Sequence, residues 1–128
     1  DITIILADDD EINNYLSVSV IGEFVAAGQI FAFTSPGQAV MEAKRICVDQ
    51  PSQRFVFFID FNMPEFSGWE MVRQLKSQPG FDFKEKDRIY ILSSSINPAD
   101  RVTAVNEISV TGFVEKPLTI SMMEGLLT

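Results

Sequence analysis

The chain has 128 residues, a length that suits one domain with one core, and its 46% hydrophobic and 22% charged residues exclude a disordered tail. A net charge of −8, from 10 basic and 18 acidic residues, argues against direct nucleic-acid binding, which depends on neutralising phosphates. With 0 histidines and 1 cysteine, histidine acid–base catalysis, Ser-His-Asp triads and Cys or His zinc cages are all excluded.

The chain opens on "ITIILA" (2–7), a β-branched, strand-like run with no signal-peptide pattern. A helix is predicted from about Glu11 to Ala27, with Ile12, Leu16, Val20 and Phe24 as a buried stripe widened by Tyr15, Ile21 and Val25, and Gly28 ending it. "QIFAF" (29–33) reads as a second strand. A second helix follows, with Ser35 as N-cap, Pro36 at its first position and Val40, Ala43 and Cys47 inward. Cys47 is thus core filler, and a lone cysteine suits a reducing compartment.

"RFVFFI" (54–59) is continuously apolar, as a central strand covered on both faces must be. The loop "DFNMPEFSG" leads into a third helix carrying Trp69, Val72 and Leu75, and then the polar connection "SQPGFDFKEKD". "RIYIL" (88–92) is the fourth strand, and "SSSINPAD" opens a shorter helix with Val102 and Val105. "GFVE" (112–115) is the fifth strand, followed by a last helix with Ile120, Met123 and Leu127 inward. Strand–helix alternation of this kind predicts an α/β fold, a doubly wound parallel sheet with helices on both faces, and one domain over 1–128.

In such sheets the functional crevice lies beyond the C-terminal strand ends. Strand one ends in Asp8, Asp9 and Asp10; strand three in Asp60, Phe61, Asn62, Met63 and Pro64; strand four in Ser93, Ser94 and Ser95; strand five in Glu115, Lys116 and Pro117. Adjacent carboxylates repel unless a cation sits among them. Asp8, Asp9 and Asp60, with backbone oxygens and waters, make an all-oxygen site that suits magnesium, or manganese in its place. Beside such an ion a carboxylate can attack phosphorus, a hydroxyl can bond one phosphoryl oxygen and an ammonium another; Asp60, Ser93 and Lys116 fill those roles if their strands are neighbours. Asp10 is a good helix N-cap, and a calcium loop is disfavoured because no glycine or final glutamate follows at the required spacing.

The segments "ILADDDEINN", "FVFFIDFNMPEFSGWE", "IYILSSSI" and "GFVEKPL" together resemble the CheY-like receiver domain of two-component response regulators, over essentially the whole chain. The block "DFNMPEFSG" is the most specific, similar to the family's D-x-x-M-P-x-x-x-G. The resemblance implies a flavodoxin-like three-layer sandwich with strand order 2-1-3-4-5 and a Lys116–Pro117 bond that is often cis. It makes Asp60 the phosphoacceptor, Asp9 the direct magnesium ligand and Asp8 a ligand mostly through water. Asn62 would supply a backbone carbonyl to the metal, Ser93 the switch hydroxyl, Lys116 its partner and Phe113 the switch aromatic. Ser95 and Asn62 hold positions that tune phosphoryl lifetime in the family. The segment before strand five departs from the family by lacking a Gly-Ala turn, which puts the fourth helix and its output surface in question.

The implied function is a cytoplasmic phosphorelay signalling domain, not an enzyme beyond its own phosphorylation and dephosphorylation. Its implied partners are a histidine kinase or histidine phosphotransfer protein, a downstream protein target and a phosphorylation-dependent dimer, with no nucleic acid or membrane. With nothing after Thr128, output is expected through protein contact. Two alternatives stand beside it: a metal-dependent phosphohydrolase with an aspartyl nucleophile, and a pseudo-receiver that is never phosphorylated. Against the first, Asn62 occupies the place of the second acid such hydrolases use. The intact set of acids, hydroxyl and lysine counts against the second.

Overall fold

The computed structural model describes residues 1–77, 86–94, 99 and 110–127. Most of the "SQPGFDFKEKD" connection, Ser95, and the short helix expected around Val102 and Val105 lie outside the described residues. Five strands form one parallel sheet: β1 (Ile2–Ala7), β2 (Ile30–Phe33), β3 (Arg54–Asp60), β4 (Arg88–Ser93) and β5 (Gly112–Glu115), in the order β2-β1-β3-β4-β5. The helices are α1 (Glu11–Ile21), α2 (Pro36–Asp49), α3 (Gly68–Ser77) and α4 (Ile120–Leu127). This is the expected flavodoxin-like arrangement.

Strand periodicity sorts the core into two layers. Ile5, Ala7, Phe55, Phe57, Ile59, Ile89 and Ile91 face one side, packing on Val40 and Ala43 of α2 and on Met71, Val72 and Leu75 of α3. Ile4, Leu6, Val56, Phe58, Tyr90, Leu92 and Val114 face the other, packing on Ile21 of α1 and Met123 of α4. Residues 55–60 of β3 are all buried because β3 is central and covered on both faces. Each fully buried phenylalanine there contributes about 1.5–3 kcal/mol, which is why the sheet's centre, and not its edges, fixes the frame of the site. Ser35 caps α2, accepting from the Gln38 N–H at 3.3 Å, and Cys47 packs partly buried against the core. The carbonyls ending α4 accept from Tyr90 Oη, at 2.8 Å from Leu126, and from the Arg54 guanidinium, at Leu127. A cation there complements the negative helix end.

The first helix departs from its expected face. It ends at Ile21, its last turn closed by the Gly22 N–H on Val18 C=O at 2.8 Å, so Phe24 does not continue a stripe. Ile12 is 70% exposed, Tyr15 72% and Leu16 49%, while Asn14, Ser17, Ile21 and Val25 are buried. The cause is the demand of the strand ends. Buried backbone carbonyls need donors, and the Asn14 amide supplies them to Asp8 and Phe33. That contact sets the rotation of α1, and the apolar residues on its other side are left facing outward. In α4 Met123 is buried as expected, but Ile120 is exposed.

Candidate metal centre at the sheet edge

The parallel order brings the ends of β1, β3, β4 and β5 side by side. Asp60, the last residue of β3, lies in register with Leu92, and Ser93 ends β4 opposite Glu115 of β5. Phe61 N–H donates to Leu92 C=O at 2.9 Å, and Lys116 N–H to Ser93 C=O at 2.8 Å, so the ladder runs past the strands into the site. Asp8 is 1% exposed and Asp60 6% exposed, whereas Asp9 stands out toward solvent. One carboxylate oxygen from each of Asp8, Asp9 and Asp60 lies within 4.8 Å of the others. An all-carboxylate oxygen set of this kind fits a small hard cation.

Lys116 reaches into the cluster from β5's end. Its Nζ stands 2.8 Å from Asp60 Oδ1 and 2.9 Å from Asp8 Oδ2. Burial alone would lower its ammonium, but hydrogen bonds to Asp60 and Asp8 outweigh burial and hold its pKa above the ordinary value. Asp60 moves the opposite way from a typical paired carboxylate. Burial, then the nearby Asp8 charge, push its pKa up to about 6 despite the lowering contact with Lys116. Two buried acids share one ammonium, so the cluster holds more negative charge than it compensates. An excess of this kind is eased by a bound cation. The Lys116–Pro117 bond is cis, as the family resemblance implied.

The β3–α3 loop is held by three contacts. Gly68 N–H donates to Phe61 C=O at 2.9 Å, and a Cβ at Gly68 would stand 2.8 Å from Asp60 O, so only glycine permits this close return. Met63 is buried while Asn62 is exposed above it. Glu65, which sequence reasoning passed over, accepts from Ser35 Oγ at 3.0 Å and so ties the loop to the N-terminus of α2, where a carboxylate is favoured.

Ser93 is buried at the end of β4, Ser94 is exposed, and Ser95 lies outside the described residues. Phe113 of β5 is half-buried and makes edge contacts with Phe61 at 6.1 Å and Trp69 at 5.6 Å between ring centroids. Phe61 and Trp69 meet edge-on at 5.2 Å. The residue after Asp60, the start of α3 and β5 are therefore linked through one aromatic trio, which the sequence did not announce. Asn14 was also missed. Its only sequence signal was polarity three residues before Ser17, on what became the buried face.

No protein-family model matches the sequence, and no curated protein does. Solved structures do match. A two-component response regulator from Cytophaga hutchinsonii is 29% identical, with 98% of this chain and 92% of that chain covered and a TM-score of 0.80. A response regulator receiver protein from Dyadobacter fermentans DSM 18053 is 19% identical, with 99% and 95% covered and a TM-score of 0.78. A CheY-like response regulator receiver domain protein from Methanospirillum hungatei JF-1 is 19% identical, with 98% and 91% covered and a TM-score of 0.69. The strand order 2-1-3-4-5 and the likeness over nearly the entire length give this chain the CheY-like fold, and the solved structures it resembles are receiver domains of two-component response regulators.

Proposed function

We propose that this domain accepts a phosphoryl group on Asp60 and relays it as a change in surface, with a magnesium ion held by Asp8, Asp9, Asp60 and the Asn62 carbonyl. The observation that carries the reading is the juxtaposition of three carboxylates within 4.8 Å and a lysine 2.8 Å from one of them. The bound ion would supply charge neutralisation for incoming phosphoryl oxygens.

An Asp60 oxygen attacks phosphorus of a phosphohistidine, the O–P bond forms as the P–N bond breaks, and the imidazole nitrogen keeps the electron pair. Lys116 then has a phosphoryl oxygen to bind in place of a bare carboxylate, and the Ser93 hydroxyl can bond another. The added charge of about −2 changes what the ends of β4 and β5 must neutralise, and Phe113, which touches Phe61 next to Asp60, is the ring we assign to register it. Because the chain has 0 histidines, the donor is another molecule or domain, a histidine kinase or histidine phosphotransfer protein. Such a donor has to cover the opening beside Asp60. Outward-facing Ile12 and Leu16 of α1 fit that contact, and a groove of about 310 Å³ between α1 and Leu118, with Lys116 and Asp8 in its lining, runs beside them. The domain acts as a signalling module, catalysing only its own phosphorylation and dephosphorylation, and passes its state to a downstream protein or a second copy. Among the described residues no helix is long and apolar enough to cross a membrane.

Incubation with magnesium and acetyl phosphate or beryllofluoride, followed by intact mass and Trp69 fluorescence, tests this reading. An adduct dependent on Asp60 and on the ion supports it. Rapid multiple turnover of a small phosphoester would instead indicate a hydrolase, and no adduct or ion response a pseudo-receiver.

A further inference from the structure

Asn14 is a polar side chain on the core-facing side of α1, and only 7% of it is exposed. Its Nδ2 donates to Asp8 C=O at 2.9 Å and to Phe33 C=O at 3.2 Å. The same Phe33 carbonyl accepts from the Asp8 N–H at 3.1 Å. Asp8 Oδ1 accepts from the Asp10 N–H at 3.0 Å, Asp10 caps α1 through the Ile12 N–H at 2.9 Å, and Asn14 N–H returns to Asp10 C=O at 3.0 Å. The turn from Asp8 to Asp10 is thereby tied at both ends, and Asn14 contributes to both.

The Asp8 carbonyl belongs to the peptide that joins Asp8 to Asp9. Holding it fixes that peptide plane, and the Asp10 N–H bond to Asp8 Oδ1 restrains the peptide on the other side of Asp9, so the two contacts together set the direction in which the Asp9 side chain leaves the backbone. Asparagine suits the task because its amide offers two donors on one short, planar group, enough for two strand-end carbonyls past the last ladder bond. Leucine would fill the space and satisfy neither carbonyl.

We infer that Asn14 is a positioning residue for the cation site: its amide sets the Asp8–Asp9 peptide and hence the pair of carboxylates presented to the ion. The inference rests on the reading of Asp8, Asp9 and Asp60 as cation ligands. Groups that orient ligands without touching a metal typically account for 10- to 100-fold in affinity.

The test is calorimetric titration of the whole chain with magnesium chloride, for the unaltered protein, Asn14→Leu and Ser17→Ala, with thermal melts taken with and without the ion. Asn14→Leu is expected to weaken magnesium binding at least about tenfold and to shrink the rise in Tm that the ion produces. Ser17→Ala, on the same buried face, is expected to move the metal-free Tm without changing magnesium affinity, which separates positioning from packing. If Asn14→Leu does not fold, Asn14→Ser removes the same donors with less bulk and carries the same expectation. Magnesium affinity within about twofold of the unaltered protein in the folded Asn14 variant would overturn the positioning role alone. An unaltered protein that takes up no magnesium would overturn the cation reading, and this inference with it.

Discussion

Lys116 Nζ lies 2.8 Å from Asp60 Oδ1, so the candidate phosphoacceptor is already ion-paired in the resting domain. The same ammonium holds Asp8 at 2.9 Å, which makes one lysine the common counter-charge of two buried carboxylates. Asp60 ends the central strand β3 and Asp8 follows β1 beyond it, both far in the chain from Lys116 at the end of β5, so the contact exists only in the folded chain.

Removing that counter-charge should be costly without a cation. Lys116→Met is expected to destabilise the metal-free domain by about 3 kcal/mol, since two buried carboxylates are left facing each other. Magnesium should recover much of the loss. Urea melts with and without the ion measure both effects, and equal losses under the two conditions would contradict the shared-counter-charge account.

The pH dependence follows from Asp60. Its pKa of about 6 lies above the ordinary 3.8, so between those values the folded protein keeps a proton that the unfolded chain has released. The Asp60 contribution therefore favours folding below about pH 4, declines as pH rises to about 6, and is flat above. Asp60→Asn should gain stability relative to the unaltered metal-free protein across that window. Denaturation of the two proteins side by side from pH 4 to 7 checks it. The same variant should take no phosphoryl or beryllofluoride adduct.

Gly68 is fixed by proximity to the acid's backbone. A Cβ there would sit 2.8 Å from Asp60 O and 3.2 Å from Phe61 Cα, atoms that cannot swing aside. Gly68→Ala is expected to cost about 1–3 kcal/mol and to slow labelling of Asp60 at saturating magnesium. Thermal melts and acetyl phosphate labelling rates test the pair of effects. A variant with normal labelling would separate the loop's return from the site's geometry.

The aromatic trio makes Trp69 a reporter. Beryllofluoride with magnesium should change its emission, and Phe113→Leu should alter both the resting spectrum and that response, for about 0.5–1.5 kcal/mol of stability. An unchanged response in Phe113→Leu would mean that the ring does not register the state of Asp60.

On α1, Ile12→Ser should leave stability within about 0.5 kcal/mol, because the side chain is 70% exposed. It should leave acetyl phosphate labelling intact yet slow transfer from a protein phosphohistidine donor. Stopped transfer assays with both donors distinguish a docking role from damage to the site.

Much of this protein was legible as local pattern. The continuous apolar run of β3, the alternation of the strands with α1, α2, α3 and α4, and the acids, serine and lysine at or just past strand ends all follow from backbone periodicity and chain order, and neither needs a distance. The rotation of α1 was not legible. Apolar residues occur on two sides of that helix, so periodicity alone gave no preference, and the choice fell to a polar contact between Asn14 and the ends of β1 and β2. The seating of Glu65 on Ser35 and the meeting of Phe61, Trp69 and Phe113 were decided in the same way. Such contacts join residues on different elements, and only the packed sheet, by demanding partners for buried carbonyls and space for rings, determines which of them meet.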